Sequence, residues 1–186
     1  VKEIGRLYSD TPTTVFAVMS ALANEHGAIN LGQGFPDTDG PEWVRGIAAE
    51  ALRNGPNQYP PMAGLPELRA AVAAANRRFY GLEIDPQSEV LVTSGATEAL
   101  ADCCAALLNP GDEAIVIEPF YDSYPAQIRA AGGVPKFVRL APPEWTLDEA
   151  ALRAAFSEKT KFILLNSPLN PAGKVFGPEE LALVAR

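Results

Sequence analysis

Histidine occurs once in these 186 residues, cysteine twice, and the 15 lysines and arginines nowhere gather into a run. His26 has no cysteine or histidine at ligand spacing, so a zinc site would be short of donors; no metal is expected, and a helix-end or surface role is. Cys103 and Cys104 are adjacent on an apolar stretch. They suit small core residues in a reducing compartment better than a disulfide or a metal pair, and a cytoplasmic protein is expected. With a formal net charge of −8 the surface field has the wrong sign for wrapping nucleic acid or coating an anionic membrane. Long hydrophobic runs are missing too. Val15–Ala23 is interrupted by Ser20, falls far short of a span and has no basic n-region ahead of it, so it reads as an amphipathic helix rather than a membrane span or signal core.

What is present suffices for a core: 47% of the residues are hydrophobic, and 15 glycines and 17 prolines fall between periodic segments, where turns belong. The stretch Val90–Leu107, VLVTSGATEALADCCAAL, organises the rest. Three β-favouring residues, Val90 to Val92, run into Thr93-Ser94-Gly95-Ala96-Thr97, and a helical apolar pattern follows with Glu98 in its first turn. The first amides of such a helix have no intrahelical partner and carry the positive end of its dipole, which favours an anion. Gly95 lets the backbone come close, and Thr97 adds a hydroxyl, so a phosphate cradle is one interpretation. The same residues serve equally for a plain cap in which Ser94 or Thr97 closes a buried helix.

Ahead of this stretch, residues 1–12 read as irregular, and Thr11-Pro12-Thr13-Thr14 announces a helix over Val15–Glu25 with Phe16, Met19, Leu22 and Ala23 at core spacing. Gly32-Gln33-Gly34-Phe35-Pro36-Asp37 is a rigid loop, Pro41 opens a helix to about Arg53, and the turn-dense Asn54–Gly64 carries one aromatic, Tyr59, before a helix over Leu65–Tyr80. From Ser88 onward strands and helices alternate: after Val90–Val92 come Ala114–Ile117, Val134–Leu140 and Phe162–Leu165, with helices over Ser123–Ala131 and Asp148–Phe156. Fully apolar strands with helical crossovers mean a mainly parallel α/β sheet covered on both faces. Such sheets bind ligands at the carboxyl ends of their strands, which selects three loops. They are Thr93–Thr97, then Glu118–Tyr124 with three aromatics, then Asn166–Gly173 with two prolines fixing two asparagines. A phosphate seat, a ring platform and neutral donors together fit a phosphorylated aromatic cofactor.

On these loops the chain resembles the class I/II pyridoxal-phosphate aminotransferases of fold type I, nearest the branch that holds the kynurenine/glutamine, methionine and N-succinyldiaminopimelate aminotransferases. The motifs are LGQGFPD at Leu31–Asp37, NQYPPMAGLPELR at Asn57–Arg69, TSGATEAL at Thr93–Leu100, IEPFYDSY at Ile117–Tyr124 and NSPLNPAGKVF at Asn166–Phe176. The resemblance implies a large-domain α/β sheet over residues 41–186, preceded by an arm and small-domain segment over residues 1–40. It implies that Gly95, Ala96 and Thr97 hold the phosphate of pyridoxal 5'-phosphate, that Tyr121 stacks on its ring, that Asn170 bonds its phenolic oxygen, and that Asn166 lies beside ring and substrate carboxylate. Gly34 would meet that carboxylate through its backbone, and Tyr59 would reach the phosphate of the other subunit, implying a homodimer with shared active sites. Leu169 departs from relatives that carry a polar residue there, and a change in local packing is expected.

The implied activity of the complete protein is transfer of an amino group from an amino acid to a 2-oxo acid. A β-lyase acting on sulfur amino acids and a non-catalytic cofactor-binding regulator are the alternatives, the latter requiring a basic DNA-binding segment that residues 1–30 do not show. Gly34, Phe35 and Tyr124 are compatible with aromatic, methionine-like and succinylated substrates alike. None of Lys2, Lys136, Lys159, Lys161 and Lys174 sits in the context of the family's Schiff-base lysine, so this chain is expected to contain no catalytic residue of its own and to be inactive alone. A shortened form of a longer polypeptide is expected, with Arg186 as a trypsin-like end, and an intact mass would test that.

Overall fold

Ala114, Ile115, Val116 and Ile117 offer water no polar face, and in the structure, a computed structural model, all four are buried, none more than 2% exposed. The structure describes residues 5, 7, 13–34, 36 and 38–186. The irregular reading of residues 1–12, apart from Gly5 and Leu7, and the pocket position given to Phe35 lie outside the described residues, as does Lys2. The chain divides into two compact units, Pro12–Thr93 and one built on Ser94–Arg186.

Among its described residues the first unit holds three helices, α1 (Val15–Glu25), α2 (Glu42–Asn54) and α3 (Pro66–Tyr80). Thr14 caps α1 by accepting the Ala17 N–H at 3.3 Å, exposed His26 closes its other end, and Gly81, at φ +68°, ends α3 in the left-handed form glycine adopts without strain. The core spacing expected in α1 gives only partial burial: Phe16 and Ala23 are half-buried, whereas Met19 and Leu22 are each 41% exposed, because among the described residues that face meets the short segment around Asn30–Gly32 and not a packed layer. Nor is Val90–Val92 a strand. Its polar backbone groups are met sideways: Val92 N–H donates to the Ala63 carbonyl at 3.1 Å, and Arg69 Nε donates to the Val90 carbonyl at 3.0 Å while its guanidinium also reaches the Gln87 carbonyl.

The second unit runs α4 (Gly95–Leu107), β1 (Glu113–Glu118), α5 (Ser123–Ala130), β2 (Val134–Arg139), α6 (Glu149–Ala155), β3 (Thr160–Leu164) and α7 (Pro178–Ala185). The three strands form a parallel sheet in the order β2-β1-β3, with Val116 opposite Phe137 and Leu164. Period-two alternation along β1 divides the core. Ala114 and Val116 pack with Cys104, Leu108, Tyr124 and Ile128 of the α4/α5 side. Ile115 packs with Val138 and Leu152 beside Leu183 and Val184 of α7, and Ile117 with Leu140, Leu169 and Phe176. Of the two cysteines only Cys104 is buried; neighbours in a helix point about 100° apart, which leaves Cys103 exposed. Burial, and then the adjacent Cys103, push the Cys104 thiol up, so it stays protonated. Among the described residues no helix is long and apolar enough to cross a membrane.

Ile115 is fully buried at the centre of the sheet. Ile115→Ala is expected to cost about 2–5 kcal/mol, read as a lowered urea midpoint for the protein carrying this chain.

Candidate cofactor site

At the carboxyl edge of the sheet, β1 and β3 are neighbours, so the loops that leave them must be neighbours as well. The loop after β1 turns into α5 through Tyr124, whose N–H donates to the Tyr121 carbonyl at 3.2 Å. The two phenol rings meet edge to face, 5.9 Å between centroids at 60°. Tyr124 is 8% exposed; burial, with Tyr121 beside it, pushes its phenol up and keeps the hydroxyl protonated. Phe120 turns aside to stack on Phe137 at 5.4 Å, a packing role.

The loop after β3 is tied at several points. Leu169 N–H donates to the Lys174 carbonyl at 2.8 Å, Gly173 N–H to the Leu169 carbonyl at 2.6 Å, and Phe176 N–H to Ser167 Oγ at 3.2 Å. Leu169, 3% exposed, plugs the core beside Ile117, Leu140 and Phe176, so its apolar side chain serves packing while the residues on either side stay at the surface. Asn170 N–H donates to Asn166 Oδ1 at 2.8 Å, which uses the acceptor of that amide and leaves its NH2 to donate. Lys174 and Glu180 form an ion pair of 2.9 Å with only 12% and 25% of their side chains exposed, and Lys174 lies over the Phe176 ring at 5.2 Å. Glu180 Oε2 also accepts the Gly177 N–H at 3.0 Å, which closes the start of α7.

The third component is the start of α4. Ser94 stands at the cap without using its side chain; instead the Glu98 carboxylate reaches back to the Ser94 N–H. The plain cap by Ser94 is therefore not what the structure shows. Gly95 sits at φ +79°, which a side-chain-bearing residue would resist, and Ala96 and Thr97 follow in the first turn. Ala96, Thr97, Leu100, Tyr121, Tyr124, Asn166, Pro168 and Asn170 surround one recess of about 360 Å³, within the range of small-molecule sites. A larger cavity of about 460 Å³, lined by Leu152, Phe156 and Leu183 among others, offers apolar walls and two arginines but no aromatic ring-and-amide combination. Chemistry, not volume, distinguishes the two.

Six of the residues singled out in the sequence thus meet in the second unit, with Gly95 continuous with Ala96 at the mouth of the recess. Gly34 and Tyr59 belong to the first unit; around Gly34 there is open space, and Tyr59 is 98% exposed on a loop that Asn57 ties back to the Leu52 carbonyl at 2.7 Å. Among the described residues no lysine lines the recess: Lys136, Lys161 and Lys174 pair with Glu113, Asp112 and Glu180. Among the described residues no group of three or more histidines, cysteines, aspartates or glutamates could hold a metal ion. What sequence reasoning missed are residues that hold the site without lining it as ring or anion contacts: Ser167, Lys174, Glu180, and Gln127, whose Nε2 donates to the Thr97 carbonyl at 2.9 Å. The last two partners are 30 residues apart, and no local pattern announces them.

A helix N-terminus, an aromatic wall and paired amides gathered at the carboxyl edge of a parallel α/β sheet mark the place where sheets of this kind take small ligands. The family model for aminotransferase class I and II matches residues 26–186, and the chain belongs to that family, whose cofactor is pyridoxal phosphate. It is 50% identical over 175 residues to a probable N-succinyldiaminopimelate aminotransferase of Mycobacterium tuberculosis, covering 93% of this chain and 44% of that protein. It is 45% identical over 170 residues to the methionine aminotransferase of Escherichia coli, covering 91% and 44%. The solved structure of N-succinyldiaminopimelate aminotransferase from M. tuberculosis superposes with a TM-score of 0.92 at 48% identity, over 98% of this chain and 48% of that one. The chain thus spans less than half the length of these relatives, and the fold is that of fold type I aminotransferases.

The Lys174–Glu180 pair yields a test by pH. Burial works to raise the Glu180 carboxyl, but the Lys174 ammonium and the Gly177 N–H outweigh it and hold the group below its ordinary value of 4.5. A depressed folded value means stability that is present above pH 4.5 and lost as pH falls through the lowered value. Glu180→Gln is expected to cost about 1–3 kcal/mol near neutrality, and melting temperatures of variant and wild type are expected to converge as the pH falls through the lowered Glu180 value.

Proposed function

We propose that the complete protein transfers an amino group from an amino acid to a 2-oxo acid through pyridoxal phosphate. The observation that carries this is the single recess in which the first turn of α4, the Tyr121–Tyr124 wall and the Asn166–Asn170 pair converge. The residues fit the cofactor by kind. A phosphate suits the amides of Ala96 and Thr97 and the Thr97 hydroxyl, with Gly95 opening the approach; a pyridine ring suits the face of Tyr121; a phenolic oxygen suits a donated N–H from Asn170. When bound, the cofactor supplies an electron sink for a substrate whose α-proton is removed.

In this reading the chain's own residues bind and orient. The α4 terminus holds the dianion, worth at most about 2 kcal/mol from the helix end, and charge-assisted hydrogen bonds add roughly 1.5–3 kcal/mol each. Tyr124, buried and protonated, backs Tyr121 and keeps water from that side of the ring. Asn166 offers its NH2 toward the recess it lines, where it serves cofactor or substrate carboxylate, and Gly34 is assigned to that carboxylate through its backbone. The amine nucleophile is assigned to the part of the relatives' length that this chain does not span. We further assign Tyr59 to the partner's phosphate in a cytoplasmic homodimer, residues 1–40 to an arm and small-domain segment, and residues 41–186 to the large domain; the exposure of Tyr59 is compatible with such a contact.

Thr97→Ala is expected to weaken cofactor binding roughly ten- to one-hundred-fold by removing a hydrogen bond to a charged oxygen, and Tyr121→Ala about three- to ten-fold by removing the ring platform. The cofactor content after dialysis, read from visible absorbance, checks both; unchanged content in both variants would overturn the site assignment. A product assay checks the reaction: the amino group should be recovered on the acceptor and not as free ammonia.

A further inference from the structure

Helix α5 does two things one turn apart. Tyr124 and Ile128, four residues apart and buried at 8% and 0%, anchor it to the sheet, and Tyr124 also walls the recess. Gln127 faces α4 instead, donating from Nε2 to the Thr97 carbonyl at 2.9 Å; since that carbonyl can only accept, the amide's NH2 must be the end that faces it. The cleft between the two helices, about 400 Å³, is walled by Thr97, Ala101, Ala105, Ser123, Ala126 and Gln127. The walls of this cleft are largely alanine, so at the first turn of α4 the side-chain hydrogen bond from Gln127 adds a directional tie that flat apolar surfaces do not supply.

The amide is a costly choice for that place. Gln127 Oε1 is buried and, among the described residues, has no hydrogen-bond partner, as is Ser123 Oγ beside the same cleft. An unsatisfied buried acceptor destabilises, and an apolar side chain of the same length would avoid it. Stability therefore does not account for Gln127, whereas the bond to Thr97 does. We propose that Gln127 is a positioning residue: it fixes the anion-binding turn of α4 at a set distance from the Tyr124 wall, so that the Thr97 amide and hydroxyl stand ready for the phosphate without rearrangement. It touches neither cofactor nor substrate. This rests on the reading of the recess as the cofactor site.

The test uses the protein that carries this chain, stripped of cofactor and titrated with pyridoxal phosphate. Gln127→Met keeps the length and removes the donor; it is expected to raise the dissociation constant about five-fold, while the melting temperature of the cofactor-free protein stays level or rises. Gln127→Glu keeps the shape but, ionised at pH 8, can only accept; it is expected to bind more weakly than the methionine variant. The phosphorus-31 resonance of the bound cofactor is expected to shift in both. A dissociation constant within two-fold of wild type in both variants, a glutamate variant equal to wild type, or a loss of affinity matched by a lower melting temperature of the cofactor-free protein would each overturn the proposal. If Thr97→Ala also leaves the cofactor in place, the reading of the recess itself has failed; if Thr97→Ala strips the cofactor and the Gln127 variants do not, only the positioning role has.

Discussion

The site depends on β1 being dry on both faces. A strand of Ala, Ile, Val and Ile must recruit apolar cover above and below, and it does so with α4 and α5 on one side and with α6, α7 and the Leu169–Phe176 turn on the other. Once both faces are covered, the carboxyl edge is where loops from adjacent strands can gather. β1 and β3 are side by side in the sheet, so the Tyr121 loop and the Asn166 loop meet there without any attraction of their own.

Loops brought together still need fixed shapes, and those come from residues that do not face a ring or an anion. Leu169 pins the middle of its loop in the core, Lys174 and Glu180 clamp its return, and Ser167 accepts the Phe176 N–H. On the other side Gln127 ties the start of α4 to α5. The recess is thus lined by groups suited to a ligand and held by groups suited to the backbone, a division that lets the lining stay open while its frame stays rigid.

Membership of the aminotransferase family is consistent with the residue types on these loops, since a phosphate anion, an aromatic ring and a phenolic oxygen acceptor are what pyridoxal phosphate presents to a protein. Gln127 and the Lys174–Glu180 ion pair act on the backbone around the recess and not on its lining. In the Pro12–Thr93 unit the same economy is visible on a smaller scale: Arg69 takes two carbonyls and thereby holds the segment that leads into α4.

The order of elements from Gly95 onward and the loops that meet at the sheet's carboxyl edge were legible in the sequence because they rest on local rules. Strand hydrophobicity, helix starts at Pro41 and Asp148, and the turn at Gly95 each follow from a few neighbouring residues; Asp148 indeed caps α6 by accepting the Ala150 and Ala151 amides. The sequence alone misled where a pattern needed a partner to have meaning. Val90–Val92 has strand composition but bonds to Ala63 and Arg69, and Met19 and Leu22 have core spacing but stay 41% exposed against a short loop segment. Periodicity tells which face is apolar and never whether something covers it. Tertiary structure alone decided that Ala96, Thr97, Tyr121, Tyr124, Asn166 and Asn170 share one recess and that Gln127 meets Thr97 across 30 residues, because such contacts are set by how layers pack and not by any spacing along the chain.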